Sequence, residues 1–232
     1  MGYLAENDIK VLALDIDGTL YPKRMLNARM LRSMVPSLFL ARAFNWARKE
    51  YRRVQDLHPT NPATRDGLLN RQAELVASRM PGKRTHQQIR QAIDTQFYAA
   101  WGRSFSSIKA FPGMQETLSE IHGRGVKIAV FSDFPLADKL KTLGIASLVD
   151  IAYSAEESGF LKPSEHAFSF LLDHIQEESK HILYMGDSYS KDCQGAKQVG
   201  MHSCLITKTK GKPFPDADLV VGSWKEFASL VL

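Results

Sequence analysis

Four apolar residues, Val11-Leu12-Ala13-Leu14, run straight into Asp15-Ile16-Asp17-Gly18-Thr19-Leu20. An apolar run this short, stopped abruptly by Asp and Gly, reads as a buried strand, over residues 9–14, of a parallel sheet reaching its carboxyl end. In open α/β sheets that edge is where ligands bind. Asp15 and Asp17 alternate with one residue between them, so an extended backbone points both to the same side. Two carboxylates there are costly unless a cation or donors compensate them. They can hold a hard cation such as Mg²⁺, and one of them can attack phosphorus as a nucleophile. The plainer reading, a strand end followed by an Asp-Gly turn, fits the decapeptide too.

The rest of the chain decides between these readings. After residue 111, strand and helix signals alternate. Val126–Phe131, Ile151–Tyr153, His181–Met185, Ser203–Thr207 and Leu219–Val221 read as strands. Met114–His122, Ala137–Leu143, Ser164–Ile175 and Cys193–Val199 read as helices, several closed by glycine. Alternation of this kind predicts a parallel sheet covered by helices. Between residues 22 and 104 no strand pattern occurs. Met25 to about Gln55, Ala63–Met80 and Thr85 to about Trp101 carry helical spacing, with Pro36 dividing the first. The expected fold is α/β: a Rossmann-like core over residues 1–21 and 109–232, with an all-helical cap inserted at 22–108.

Charge follows the same division. Residues 22–110 hold 17 Lys+Arg against 5 Asp+Glu, and the remainder holds 13 against 20. A basic unit inside an acidic one hints at anionic partners for the former. Its clusters, Arg48-Lys49 with Arg52-Arg53 and Lys83-Arg84, read first as solvated helix faces. The sharper reading is that some of them recognise a second anionic or nucleotide group. No groove-reading motif or stacking series accompanies them, so a nucleic-acid partner ranks low. Trp46, Tyr51, Phe97 and Trp101 read as cap core rather than a substrate platform.

No apolar run approaches the roughly 20 residues of a membrane span, and Met1–Asp8 lacks an apolar signal region. Two cysteines, Cys193 and Cys204, make no disulfide framework. The expectation is a cytoplasmic protein, monomeric or homodimeric. The Lys208–Pro213 run reads as a mobile loop.

Three later segments carry reactive groups like the first. Ser132 follows the Val126–Phe131 strand, Lys162 stands in Gly159-Phe160-Leu161-Lys162-Pro163, and Gly186-Asp187 follows His181–Met185, with Asp192 five residues on. A lone serine there is usually a turn, a lone loop lysine is usually exposed, and an Asp often caps a helix. Independent turns and caps need not place all of these in order after the right strands. Together they form a phosphate site: acids for a metal, lysine to quench charge, hydroxyls to hold oxygens.

Asp15-Ile16-Asp17-Gly18-Thr19, Ser132, Lys162-Pro163 and Gly186-Asp187 with Asp192 resemble the motifs of the haloacid dehalogenase-like hydrolase superfamily. The insertion after the first motif is similar in position to that family's helical C1-type cap. The Asp-Ile-Asp-Gly-Thr-Leu-Tyr-Pro start resembles pyrimidine 5′-nucleotidase-like members. The resemblance implies Asp15 as the nucleophile forming an aspartyl-phosphate, with Asp17 as acid and then base. It implies Thr19, Ser132 and Lys162 as phosphoryl-binding groups, Lys162 also stabilising charge in catalysis. Mg²⁺ would be bound by Asp15, the backbone carbonyl of Asp17 and Asp187, supported by Asp192. In the dehalogenase branch the position of Asp17 is not an acid, because no alkoxide needs protonating. The implied activity is therefore hydrolysis of a small phosphorylated metabolite: a nucleotide, sugar phosphate or short phospho-acid. A phosphomutase, a dehalogenase and a low-turnover binding protein are the alternatives. One departure is Asp133 after Ser132, where many relatives carry Asn or Thr.

Overall fold

The computed structural model describes residues 2–25, 38–60, 63–80, 82, 84–99, 105, 108–136, 138–209 and 211–232. Strands β1 (Val11–Leu14), β2 (Lys127–Ser132), β3 (Ile151–Ser154), β4 (Ile182–Gly186), β5 (His202–Ile206) and β6 (Leu219–Val221) form one sheet. Their order is β3-β2-β1-β4-β5-β6. Every neighbouring pair is parallel, with Val11 opposite Lys127 on one side and Ile182 on the other. The chain winds outward from β1 in both directions, so the carboxyl ends of β1, β2 and β4 meet at the switch point, where such sheets bind ligands.

The central strands are apolar throughout because both faces are covered. Leu12 and Leu14 of β1, with Leu183 and Met185 of β4, enter one core cluster with Met114, Leu118, Trp224 and Phe227. Val11, Ala13, Ile182 and Tyr184 enter the opposite cluster with Phe168, Leu171 and Ile175. The covering helices are Met114–Gly123, Glu165–Ile175 and Trp224–Val231. The last of these, together with a one-turn helix at Tyr3–Glu6, has no counterpart among the sequence expectations. The Ala137–Leu143 expectation shortens to Lys139–Thr142.

Among the described residues, none between 22 and 110 joins the sheet. The cap helices α1 (Leu38–Val54), α2 (Arg65–Arg79) and α3 (His86–Ile93) pack around Phe44, Ala47, Val76, Ile93 and Phe97. Thr85 and Gln88 form a reciprocal capping box at the start of α3. The first part of the Met25–Gln55 expectation, with Pro36, lies outside the described residues. Tyr51 and Phe97 are buried as expected. Trp46 is partly buried and packs against the same cluster, with the Arg79 guanidinium 4.2 Å from its ring centre; Trp101 lies outside the described residues. At the two ends of the insertion the backbone N–H of Phe111 donates to the carbonyl of Leu20 at 2.9 Å.

Candidate active site

The β1 run ends in a tight loop that Gly18 makes possible. Its φ is +108°, and a Cβ there would lie 2.2 Å from Asp187 Oδ2. The Trp224 indole N–H donates to the Thr19 carbonyl at 2.8 Å and holds this loop against the C-terminal helix. Gly186, at the end of β4, lets Asp192 approach; a Cβ would lie 2.2 Å from its Cγ.

Lys162 is the centre of the arrangement. The exposure expected of a lone loop lysine does not hold: its side chain is 1% exposed. Its Nζ donates to Asp15 Oδ1 at 2.8 Å, Asp192 Oδ1 at 2.7 Å and the Tyr184 hydroxyl at 2.9 Å. Burial disfavours the ammonium, but Asp15 and Asp192 outweigh it and hold Lys162 firmly charged. Tyr184 is fixed in turn by donating to the Phe131 carbonyl at 3.0 Å. Thr19 Oγ1 donates to Asp15 Oδ2 at 3.1 Å.

Asp17 has a separate set of partners. The Tyr21 hydroxyl donates to its Oδ1, and Lys139 Nζ reaches both of its oxygens at 3.1 Å. Ser132 Oγ lies 3.4 Å from Oδ2. Burial favours the neutral acid, yet Lys139 and the Tyr21 bond win, and Asp17 is held as a carboxylate.

Oxygen atoms of Asp15, Asp187 and Asp192 lie within 4.8 Å of one another. Such an all-carboxylate set suits a hard cation. Burial raises the pKa of Asp187, and burial pushes Asp192, tied to the charged Lys162, up to about 6. Lys23 Nζ already sits on Asp187, at 2.6 and 2.8 Å from its two oxygens. These acids thus attract positive charge, and the residues fit a divalent ion. The carboxylate of Asp17 is not among them; its expected contribution is a backbone carbonyl.

These groups line a small pocket of about 50 Å³, with Lys191, Ser188, Asp133 and Phe134 completing the wall. Of the phosphate-binding expectations, Lys162 lines it. Thr19 and Ser132 are fully buried beside it, their hydroxyls bonded to Asp15 and facing Asp17. Tyr21, Lys23, Lys139 and Tyr184 were not legible as site residues. Tyr184 alone carried a signal, a polar group on an otherwise apolar central strand.

The cap's basic cluster divides. Arg53 is exposed and pairs with Glu50 on its own helix, as a solvated face does. Arg48 and Arg52 do not. Arg48, 3% exposed, meets Glu156 at 2.6 Å, and Arg52 meets Asp133 at 2.6 Å. Tyr51 donates to the Gly159 carbonyl at 2.6 Å, and Gln55 brackets Leu161 with two bonds of 2.8 Å. The cap is seated on the core by buried polar groups. Lys83 lies outside the described residues.

The family model described as haloacid dehalogenase-like hydrolase matches residues 9–200. The chain belongs to this family. Among relatives of this chain, haloacid dehalogenase-like hydrolase domain-containing protein 3 of Bos taurus is 36% identical over 44% of the chain and 41% of its own length. Glyceraldehyde 3-phosphate phosphatase of Methanocaldococcus jannaschii is 30% identical over 53% of the chain and 57% of its own length. The match thus spans about half the length of these relatives. Among solved structures, 2-haloacid dehalogenase from Pseudomonas syringae pv. Tomato DC3000 shares the fold, with TM-score 0.62 and 19% identity over 96% of this chain and 97% of the other. Among the described residues no helix is long and apolar enough to cross a membrane.

Proposed function

We propose that this hydrolase is a Mg²⁺-dependent phosphatase of small phosphomonoesters, acting through an aspartyl-phosphate on Asp15. The observation that carries the reading is the bridge made by Lys162. Its ammonium touches Asp15 and Asp192, at 2.8 and 2.7 Å, where a transferring phosphoryl group would gather charge. Asp15, Asp187 and the carbonyl of Asp17, supported by Asp192, would hold the Mg²⁺, which would supply charge that shields the anionic nucleophile from an anionic ester.

Asp15 is oriented for attack by Thr19 and Lys162 on its two oxygens. Asp17 stands as a carboxylate, the form that takes a proton from water when the phospho-enzyme is hydrolysed. To protonate a leaving oxygen in the first half-reaction it takes up a proton brought with the ester, as on a phosphate monoanion. The small pocket, with Lys23 and Lys191 on its wall, suits a phosphorylated metabolite: a nucleotide, sugar phosphate or short phospho-acid. A phosphatase of a three-carbon phosphate among the relatives is in line with this. The named dehalogenase among the structural neighbours favours the second reading, C–halogen cleavage. Asp17 speaks against it, since displacement of halide needs no acid there. A phosphomutase would share the first half-reaction and differ in the phosphoryl acceptor.

The test is phosphate release from nucleoside monophosphates, sugar phosphates and phosphoglycolate, with and without Mg²⁺, for wild type and Asp15→Asn. Wild type is expected to turn over only with the metal, and the variant to lose at least about 10³-fold. Equal activity of the two enzymes, or an inert, folded, metal-loaded wild type, overturns the reading.

A further inference from the structure

A cap arginine and a core aspartate close on both sides of one residue, Lys162. Arg52 Nε donates to the Lys162 carbonyl at 3.0 Å, and Arg52 Nη2 donates to Asp133 Oδ2 at 2.6 Å. Asp133 Oδ1 accepts the backbone N–H of Lys162 at 3.1 Å. Arg52 is on α1, Asp133 follows β2, and Lys162 lies on the loop before Glu165–Ile175, so the ring joins three separate parts of the chain. Asp133 is buried and Arg52 nearly so, at 8% and 17% side-chain exposure. A planar guanidinium suits such a ring, because its fork can bond a carbonyl and a carboxylate at once.

We infer that Arg52 and Asp133 are positioning residues that couple docking of the cap to the placement of the Lys162 ammonium. The inference rests on the phosphatase reading only for its kinetic effect. Neither side chain bonds the phosphoryl-facing oxygens of Asp15. Arg52 grips the main chain of Lys162 from the cap, and Asp133 grips it from the core. When the cap lifts, Arg52 leaves with it, and the Lys162 peptide is held from one side alone. The lysine is then fully aligned with Asp15 only when the cap is seated over a substrate. The departure noted at position 133, an acid after Ser132, thereby gains a physical reason, since a neutral Asn cannot pair with a guanidinium as a carboxylate does.

The experiment is a double-mutant cycle on Arg52→Ala and Asp133→Asn, with Arg53→Ala as control and each protein checked for a cooperative melt. Each single variant is expected to lose about 10- to 100-fold in kcat, the cost of a small misplacement of a catalytic group. In Arg52→Ala, KM for a small ester should move by less than about threefold, because Arg52 does not line the pocket and ground-state binding is untouched. The double variant should fall no further than the worse single one, as for residues acting as a unit. Guanidinium ion should restore part of the kcat of Arg52→Ala, and sodium at equal ionic strength should not. Additive losses, a rise in KM with kcat intact, or failure of rescue overturn the inference. A second readout does not depend on turnover. Hydrogen exchange at the Lys162 amide should quicken by roughly tenfold or more in Arg52→Ala, the scale of a lost charge-assisted bond, with the β4 amides unchanged. If wild type hydrolyses no ester, the phosphatase reading fails while this exchange measurement still decides the clamp. Unchanged exchange in the variant overturns it.

Discussion

The strand-end cluster of Asp15, Asp187 and Asp192 and the cap seam around Asp133 and Glu156 are both groups of buried acids, yet they are finished differently. In the seam each carboxylate meets arginine: Arg52 on Asp133, and Arg48 with Arg65 on Glu156. Burial opposes ionisation of Asp133, but Arg52, Lys162 and Lys191 hold its carboxyl well below the usual range. At the strand ends Lys162 is shared between Asp15 and Asp192, and Asp187 has Lys23. There burial prevails, and Asp187 and Asp192 are pushed up. The seam is a joint in which each acid has arginine against it, whereas the strand-end cluster shares two lysines among three acids and still seeks positive charge. Similar residue types give structure in one place and chemistry in the other, according to how far the chain's own cations offset their burial.

The comparison breaks first at Arg48. Arg48→Met leaves Glu156 buried without its main partner, and is expected to destabilise the protein by about 3–5 kcal/mol, read by urea denaturation. Adding Glu156→Met should recover most of that loss, since the desolvated charge is gone too. If the single variant is as stable as wild type, the seam is not the joint described. A metal sharpens the other side. Mg²⁺ at about 100 times its dissociation constant should add roughly 2.7 kcal/mol to wild-type stability, seen as a raised melting temperature. Asp187→Asn should lose that gain. An equal gain in the variant would place the ion elsewhere.

The smallest effect is in pH. Because the folded-state pKa of Asp133 is depressed, the stability it contributes is full above the unfolded carboxylate value near 3.9. It is lost as pH falls through and below that value, on the order of 1–2 kcal/mol. Melting temperatures between pH 5 and 3, where the upper part of that loss falls, should therefore fall less steeply for Asp133→Asn than for wild type. Parallel slopes would remove Asp133 from the account.

Much of this was legible because strands announce themselves twice, by an apolar run and by what ends it. Leu219–Val221 stands as read, the first strand, read over residues 9–14, begins at Val11, and Ile182–Gly186 differs by one residue at each end. Asp15, Lys162, Asp187 and Asp192 meet because they follow strands that the sheet brings together. The partners of Asp17 were not legible. Lys139 comes from a single turn of helix, and nothing in its neighbours marks an inward-facing lysine. Arg48 and Arg52 were visible as charge, but their burial depends on how α1 lies on the core, which periodicity within a helix does not specify. The C-terminal helix does carry a signal, the helical spacing of Trp224, Phe227 and Val231, and Trp224 bonds the loop of the first motif.

The backbone bond from Phe111 to Leu20 joins the two ends of the insertion through main-chain atoms. Such a closure sets no requirement on side chains, and the sheet registers are the same whatever hangs between the two ends. The part of the insertion away from the helix that carries Arg48, Tyr51, Arg52 and Gln55 can therefore be lengthened or rewritten over generations without disturbing Asp15 and its neighbours. Selectivity is free to drift in that outer part, while reactivity is inherited with the sheet and with the one helix face that rests on it.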